Sequence, residues 1–442
     1  MKTHRRIHFT ALFALAAGWL DITPAQAQLS VQWITHYGTT AEERGNAIAV
    51  DGLGQSWVTG YTYGSLGGTH AGSTINADIF LTRLSPTGNV DFNRQRGGTG
   101  DETGYGVALV GSGTVFAGGA VSSSTIDGQG SGGSLEVRYD TSGNWQGTTR
   151  FGVTDSYTFG LAGNATGLLM AGNAYGSFDG QTHLGGGDAF LSKRDSTGAL
   201  VWTRFVGTAS QETGRAAAFD SAGNAYLIGE TYGNIVGANR GSLDFFITRY
   251  DSAGNLTLLR QLGSNGYDFV SDIEVDVSGN IFLAGYTEGN LGGRTNAGGY
   301  DAFVMKLNSA GGLVWTRLLG GTSYDYGTAI GVDGTGNVWV GGYTSSNFSG
   351  HINAGSYDGF VAEYDTSGVL LGTSFLASSG DDIIAGLAIG PDGSAYVTGY
   401  TGSLGGPNIG SSDVFVAKIV PEPSTALLLL GGGALLALRR RR

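Results

Sequence analysis

Cysteine is absent from this chain of 442 residues, and proline occurs only six times. The absence of cysteine excludes disulfide bonds and thiol nucleophiles. It does not identify a compartment, because a large core of strands needs no cross-links. Charged residues are also scarce at 14%, whereas apolar residues make up 40%, a balance that excludes general disorder. The 81 glycines follow no strict three-residue period, which excludes collagen; they recur at turn positions instead.

Motifs of the common enzyme classes are missing from the sequence. It contains no G-x-S-x-G, no H-E-x-x-H, no phosphate-binding loop and no dinucleotide-binding glycine pattern. Acids are plentiful, and the sequence does not show which of them lie close together in the fold. A catalytic carboxylate pair like that of glycosidases is therefore not excluded. We therefore predict no catalytic residue and no cofactor. Ca²⁺ is the one ion that the plentiful acids would be suited to bind.

Positive charge is scarce in the part of the chain that we expect to fold. The whole chain carries 24 lysines and arginines against 36 aspartates and glutamates. Seven of these cations and two of these acids lie outside residues 28–419, which leaves 17 against 34, a net charge of −17. Such a surface disfavours nucleic acid and anionic membranes as partners, and it suits cations or uncharged polymers.

Residues 1–27 are predicted to be a secretory signal peptide. A basic start precedes an apolar run at 9–20, and small residues at Ala25 and Ala27 form the cleavage pattern before Gln28. The apolar run of about 12 residues is short for a membrane span, which argues against the alternative of an uncleaved anchor helix.

A unit of four short apolar runs fills residues 31–419. Its clearest copy is 313–344, completed by 358–368, in which glycine, aspartate, asparagine and serine separate the runs. Such runs of about four to eight residues predict strands joined by turns. The last run of the unit occurs seven times, at 31–38, 90–97, 144–152, 200–207, 256–263, 313–320 and 370–377. The pattern predicts an all-β fold, a seven-bladed β-propeller with four antiparallel strands per blade.

The order of the runs also predicts how the ring closes. If the outermost strand of each blade is d, the chain begins with a lone strand d at 31–38 and ends with strands a, b and c at 385–419. The lone strand is therefore expected to complete the last blade, which removes an open sheet edge. Strand b is nearly continuously apolar, as expected for a strand that neighbouring blades cover on both faces.

The repeats resemble the SBBP family, a β-propeller repeat of secreted bacterial proteins. The resemblance rests on D-x-x-G-N-x-[YWF]-x-x-G-Y-T runs at 276–287 and 333–344, with looser copies at 51–62 and 392–401. It covers residues 31–419. It implies a fold more firmly than a function, because propellers host binding, scaffolding and catalysis alike.

Residues 420–442 resemble the PEP-CTERM sorting signal, the target of an exosortase in Gram-negative bacteria that make exopolysaccharide. Pro421, Glu422 and Pro423 precede an apolar run at 425–438. The chain then ends in Arg439, Arg440, Arg441 and Arg442. The resemblance implies transient inner-membrane association and removal of the tail after export. The alternative is a permanent anchor, for which about 14 apolar residues are few.

Recurrent acids are predicted to form two rings on the face that carries the d–a and b–c connections. The first ring precedes strand a and consists of Glu43, Glu102, Glu212, Asp268, Asp325 and Asp382, with Tyr157 in the third copy. The second ring opens strand c and consists of Asp78, Asp188, Asp244, Asp301, Asp358 and Asp413, with Ser134 in the second copy. Carboxylates are ligands that Ca²⁺ prefers, which makes both rings candidate cation sites. The alternative is structural, because a carboxylate at a turn accepts backbone N–H groups.

The b–c loops are long, unequal and rich in asparagine, threonine, serine and tyrosine, which suits either sugar binding or plain solvation. Three histidines in these loops, His70, His183 and His351, show no metal-binding spacing and are expected to be exposed. An enzyme site would require a cluster that breaks the symmetry near the axis. The divergent copies at 106–144 and 159–199, with Arg138, Tyr157 and His183, would be its expected location.

These observations predict an exported, non-enzymatic binding or structural protein of the extracellular matrix or biofilm. Its expected partners are signal peptidase, an exosortase-type enzyme, and an extracellular polysaccharide or surface protein contacted through one propeller face. Two alternatives remain: a carbohydrate-active lyase or hydrolase with a site at the axis, and a calcium-stabilised adhesin.

Overall fold

The computed structural model describes residues 29–71, 75–111, 113–122, 125–129 and 133–421. The predicted signal peptide and all of the tail beyond Pro421 lie outside these residues. The described part folds into 28 β-strands arranged as seven four-stranded antiparallel sheets, which confirms the predicted seven-bladed propeller. Within the described ranges, no helix has the length and apolarity that crossing a membrane requires.

The strands follow the chain as a, b, c and d within each blade. The first strand, β1, is Leu29–Tyr37. Blade 1 contains β2 (Glu43–Val50), β3 (Ser56–Thr62), β4 (Asp78–Leu84) and β5 (Val90–Arg96). Blade 2 contains β6 (Glu102–Val110), β7 (Thr114–Val121), β8 (Gly133–Asp140) and β9 (Trp145–Phe151). Blade 3 contains β10 (Ser156–Gly163), β11 (Gly167–Ala174), β12 (Asp188–Asp195) and β13 (Leu200–Val206). Blade 4 contains β14 (Glu212–Phe219), β15 (Ala225–Thr231), β16 (Asp244–Tyr250) and β17 (Leu256–Leu262).

The remaining three blades follow the same order. Blade 5 contains β18 (Asp268–Val275), β19 (Ile281–Thr287), β20 (Asp301–Leu307) and β21 (Leu313–Leu319). Blade 6 contains β22 (Asp325–Val332), β23 (Val338–Thr344), β24 (Asp358–Tyr364) and β25 (Leu370–Leu376). Blade 7 contains β26 (Asp382–Ile389), β27 (Ala395–Thr401) and β28 (Asp413–Pro421).

The N-terminal strand closes the ring. Blade 7 has the strand order β1-β28-β27-β26, so β1 supplies its missing outermost strand, as predicted. In the register of this pair, Leu29 lies opposite Pro421 and Tyr37 lies opposite Val414. Strand β28 therefore runs two residues beyond the predicted body boundary at 419, and the first proline of the sorting motif belongs to the fold.

The core lies between the blades. Strands b are buried almost throughout, because each is covered by the blade before it and the blade after it. Trp339 of β23, for example, is fully buried and packs in one cluster with Ile384 and Val397 of blade 7. Burial of large apolar side chains contributes roughly 1.5–3 kcal/mol each, so the blade interfaces supply most of the stability.

The two ends of the ring differ. We call the end formed by the d–a and b–c connections the upper face and the end formed by the a–b and c–d turns the lower face. Strands a of all seven blades surround a central channel with a cavity of about 840 Å³. Strands a and c run from the upper face to the lower face, and strands b and d run back.

The D-x-x-G-N turns on the lower face determine where strand a ends and strand b begins. The Asp276 carboxylate accepts the backbone N–H groups of Ser278 and Asn280, both at 2.8–2.9 Å. Gly279 has φ of +77°, a left-handed conformation that glycine adopts without strain. Such Asx turns set the spacing of the hairpins and leave the upper face as the variable one.

Candidate functional site

The six acids of the first ring share one register position at the start of strand a, where their carboxylates are buried; in blade 3 that position is held by Ser156, and not by Tyr157 as predicted. All six members are fully inaccessible to solvent. Each accepts the backbone N–H group of the residue four positions earlier in the d–a connection, such as Gly321 N–H to Asp325 at 2.8 Å. In five of the blades a threonine at the end of strand b donates its hydroxyl to the same carboxylate, such as Thr62 to Glu43 at 2.7 Å. The ring thus ties the d–a connection to strand b of the same blade.

The second acid ring is also buried at its six positions. One carboxylate oxygen of each aspartate accepts a backbone N–H group from the b–c loop, as in Ala297 N–H to Asp301 at 2.8 Å. The other oxygen of each, Oδ1, is buried without a hydrogen-bond partner. In blade 2 the pairing of β7 with β8 places Gly133, and not Ser134, at the position of these aspartates.

The two rings meet between successive blades. The N–H group of Asp325 donates to the carbonyl of Tyr300, which directly precedes Asp301, at 2.7 Å. Burial raises the pKa of Asp301, and the neighbouring Asp325 carboxylate raises it further. No group of three or more histidines, aspartates and glutamates in the described ranges is arranged to hold a metal ion. The geometry is that of carboxylates that hold loops by accepting their N–H groups.

Glycine at the end of strand d makes this meeting of two carboxylates sterically possible. A Cβ atom at Gly320 would lie within 3.0 Å of both Asp325 and Asp301. Gly320→Ala is expected to destabilise the protein by about 1–3 kcal/mol, because both buried carboxylates are held by hydrogen bonds and have no room to move. Chemical denaturation would measure this change.

Gly334→Ala is the matched control for that substitution. Gly334 lies in the a–b turn of blade 6, the blade that follows Gly320 in the chain, and a Cβ atom there would meet nothing within 4 Å. An unchanged unfolding midpoint for Gly320→Ala would contradict the tight packing of the two rings.

The histidines are not the exposed loop residues that the sequence suggested. His36 Nε2 lies 2.8 Å from Asp413 and His351 Nε2 lies 2.7 Å from Asp358, with side chains 9% and 16% exposed. His70 lies 3.4 Å from Asp78, and His183 acts electrostatically on Asp188. The reason is local, because each histidine packs against the buried aspartate of the second ring in its own blade. These contacts hold each imidazole against the second ring.

A surface that sequence reasoning missed lies at the upper face. It is a group of aromatic side chains on neighbouring blades that we call the tyrosine crescent. Its members on strands a and b are Tyr61, Phe269, Tyr286, Tyr326, Tyr343 and Tyr400, and its members on the adjoining loops are Tyr267, Tyr300, Tyr324 and Tyr357. The strand b tyrosines occupy one register position in blades 5, 6, 7 and 1, where blades 2, 3 and 4 have Ala120, Asn173 and Glu230. The crescent therefore breaks the symmetry of the ring.

Ring contacts join the crescent residues of blades 5 and 6 across their boundary. Phe269 stacks on Tyr286 at 4.7 Å, and Tyr286 meets Tyr326 of the next blade edge to face at 4.8 Å. Tyr326 in turn stacks on Tyr343 at 4.7 Å. The loop residue Tyr324 is 47% exposed, so the group presents aromatic surface to solvent beside the channel mouth. Pairs of this kind hold their rings in fixed orientations.

Charged groups lie inside the crescent, between Tyr61 and Tyr400, and at its blade 5 end. The Arg44 guanidinium lies 4.2 Å from the ring centroid of Tyr400 and is paired with Glu42 at 2.8 Å. At the blade 5 end Arg215 pairs with Glu230 at 2.8 Å. Burial raises the pKa of Tyr326 to about 12, so this phenol stays neutral at physiological pH and can donate its hydroxyl proton.

The channel contains a second departure from symmetry. At two positions of strand a that face the channel, six blades carry alanine or glycine, whereas blade 5 carries Asp272 and Glu274. The Asp272 carboxylate accepts the N–H group of Ile330 in blade 6 at 3.0 Å. Both side chains keep some accessible surface, but that surface faces a narrow channel, and desolvation raises the pKa of each to about 7.

The divergent blades 2 and 3 do not form the cluster that an enzyme site there would need. Arg138 lies toward the lower face, where it bonds to the carbonyl of Thr197, whereas His183 lies in an upper loop. The buried Glu136 sits between Arg138 and Arg194, with nitrogen–oxygen separations of 3.6 and 3.9 Å. Glu136 and Arg194 stand at strand c positions that are apolar or aromatic in the other blades, whereas the position of Arg138 is charged in every blade.

The fold defines a class, the seven-bladed propellers built from four-stranded repeats. The repeats themselves are identifiable: residues 259–297 and 314–349 match the SBBP β-propeller repeat, and residues 420–442 match the PEP-CTERM protein-sorting motif. The chain thus combines SBBP repeats with a sorting signal, which implies export and a surface or extracellular location. Both resemblances seen in the sequence are confirmed.

Comparisons with individual proteins add the fold and little more. The chain is 26% identical over 140 residues to the regulatory protein FlaEY of Caulobacter vibrioides, a match that covers 29% of this chain and 15% of that protein. The WD40 domain of Pan2 from Neurospora crassa is similar with a TM-score of 0.51 and 10% identity, covering 89% and 96% of the two chains. The polysaccharide lyase Uly1 is similar with a TM-score of 0.47 and 12% identity, covering 88% and 92%. At these identities the structural likeness shows the fold alone.

Proposed function

We propose that this protein is a non-enzymatic component of the extracellular matrix that binds a polysaccharide through the tyrosine crescent. The observation that carries the proposal is the set of aromatic rings on one side of the upper face, which contact one another throughout blades 5 and 6. The apolar face of a pyranose stacks on such rings, and phenol and loop amide groups hydrogen-bond its hydroxyls.

Charge favours an uncharged polymer over an acidic one. The carboxylates of Glu42 and Asp381 act on Tyr400, and that of Glu288 acts on Tyr300. These acids lie beside the rings that we expect to stack, and the propeller body as a whole is strongly acidic. An anionic polysaccharide would be repelled, whereas a neutral one meets only stacking and hydrogen bonds.

The route to the surface completes the proposal. Signal peptidase removes residues 1–27, the tail associates transiently with the inner membrane of a Gram-negative cell, and an exosortase-type enzyme removes it. The exported protein would then meet exopolysaccharide or biofilm matrix, which is the polymer that we expect the crescent to bind.

Alanine at Tyr326 or Tyr343 is expected to weaken polysaccharide binding about tenfold each, because each substitution removes roughly 1.4 kcal/mol of stacking. Affinity electrophoresis in gels that contain neutral glucans would measure the loss on residues 28–421, which comprise all strands of the closed ring. Thermal unfolding of each variant separates lost binding from lost structure.

Tyr175→Ala is the matched control for these variants. Tyr175 is 43% exposed on the upper face of blade 3, outside the crescent. Equal losses for Tyr175→Ala and Tyr343→Ala would contradict the crescent as the binding surface. Binding of a surface protein in place of any glycan, lost in the crescent variants alone, would replace the polymer with a protein partner.

A hydrolase is a second candidate, favoured by the carboxyl pair of Asp272 and Glu274 in the channel. With a pKa of about 7, one carboxyl group can be protonated and the other ionised at neutral pH, which acid–base cleavage of a glycosidic bond by water requires. New reducing ends in the bound polysaccharide, lost in Asp272→Asn and Glu274→Gln, would favour this function over plain binding.

A further inference from the structure

The propeller body begins and ends at its lower face. Strand β28 runs from the upper face to the lower face and ends at Pro421, while β1 starts at the lower face with Leu29 directly opposite. The chain therefore leaves the body on the side of the ring opposite the tyrosine crescent.

The connection from this exit point to the apolar tail segment is short. Only Glu422, Pro423 and Ser424 separate the end of β28 from the apolar run that begins at Thr425. Three residues span at most roughly 11 Å when fully extended. This reach holds the exit point close to any bilayer that contains the apolar run.

We infer that the lower face of the propeller rests against the lipid surface while the tail is inserted, so that the crescent points away from the membrane. The inference rests on the transient membrane step proposed above, and it adds the orientation of the body during that step. A growing polymer outside the membrane would then meet the crescent before the tail is removed.

The chemistry of the lower rim suits this placement. In six blades the strand d residue at one register position near the lower face is apolar and 36–52% exposed; these residues are Val31, Val90, Trp145, Leu200, Leu256 and Leu313. Apolar side chains of this kind are accepted at a lipid interface. The lower turns carry aspartates that offset the nearby lysines and arginines, so we assign the contact to the short tether and not to charge attraction.

Single cysteines test the orientation cleanly, because the native chain has none. Ser278→Cys lies in the lower a–b turn of blade 5, and Thr295→Cys lies in the upper b–c loop of the same blade; both side chains are exposed. The full chain is expressed in a Gram-negative host that lacks a processing enzyme for the tail, and its spheroplasts are treated with a polymer-linked, membrane-impermeant maleimide. The reference is the same chain ended at Pro421.

We expect the lower cysteine to react several-fold more slowly in the full chain than in the reference, and the upper cysteine to react equally in both. A long glycine–serine insert after Glu422 should restore the rate at Ser278→Cys. Equal rates at the lower site, slower labelling at the upper site, or protection that survives the insert would each overturn the inference.

Fractionation separates this inference from the proposals on which it stands. If the full chain is absent from the membrane fraction, the membrane step fails and the orientation fails with it. Polysaccharide binding by residues 28–421 is measured in solution and stands or falls independently. The upper face also exposes apolar side chains, such as Ile75 and Ile352, which a membrane could accept in the reverse orientation. The labelling rate at the upper cysteine distinguishes the two orientations.

Discussion

Removing residues 28–38 from the propeller body is expected to abolish its cooperative thermal unfolding and to convert it into a self-associating species. The deletion takes away β1, whose eight register pairs with β28 complete blade 7. It leaves β28, with the fully buried Phe415 and Ala417, as an open and apolar edge strand. Such edges pair with other chains, so the loss combines destabilisation with aggregation.

Sedimentation velocity and near-ultraviolet circular dichroism would measure this outcome on residues 39–421. The control is the chain ended at Pro421, which lacks the tail but keeps all four strands of blade 7. A peptide with the sequence of residues 29–38, added during refolding, should restore the monomer because it can occupy the vacant edge. A monomeric deletion variant with an unchanged melting temperature would refute the role of β1 in ring closure.

The repeat made most of this fold predictable. Each unit carries the same turn residues at the same spacing, so the strand order and the lone strand β1 followed from counting runs. The two acid rings were equally visible, because one residue type recurs at one position in nearly every copy. What the sequence left open was whether those carboxylates face solvent, since burial depends on the glycine at the end of strand d and on the neighbouring blade.

The same repeat pattern made the tyrosine crescent hard to recognise in the sequence. Tyr286 and Tyr343 belong to the G-Y-T run that marks the family, so they read as ordinary repeat residues. Their importance depends on Phe269 and Tyr326, which pair with them across the sheet and directly follow the first-ring acids Asp268 and Asp325. The acids drew attention, whereas the aromatic residue beside each did not. The signal that would have revealed the crescent was the absence of tyrosine at this position in blades 2, 3 and 4.

The channel acids, in contrast, could have been recognised from the sequence. Asp272 and Glu274 stand two residues apart on one strand, at positions where every other aligned copy has alanine or glycine. Alignment of the six strands a that begin with an acid would have exposed both substitutions. The sequence indicates blades 2 and 3 as the place for an enzyme site near the axis, but the channel acids that depart from the repeat lie in blade 5; in blades 2 and 3 the divergence includes the buried Glu136 between Arg138 and Arg194.

The stability of the protein is expected to fall as the pH rises from about 4 to about 7, and to level off above that. Burial raises the pKa of Asp272, Glu274 and Glu136 to about 7 in the folded state, well above the values near 4 of an unfolded chain. Between these limits the folded state binds more protons than the unfolded state, so raising the pH favours unfolding. Aspartates with lowered pKa values, such as Asp140 and Asp251, act in the opposite direction but titrate below pH 4.

Asp272→Asn and Glu274→Gln should each remove part of this pH dependence, because a neutral amide occupies the channel without titrating. Each acid contributes about 1–3 kcal/mol of lost stability at neutral pH, so the double variant should be more stable than the native chain at pH 8 and nearly equal to it at pH 4.5. Urea denaturation across this range measures the slope, and Asp333→Asn, in a lower-face turn, serves as the control. A slope unchanged in the double variant would show that these carboxyl groups are ionised and solvated in the channel, and it would also remove the acid–base argument for a hydrolase.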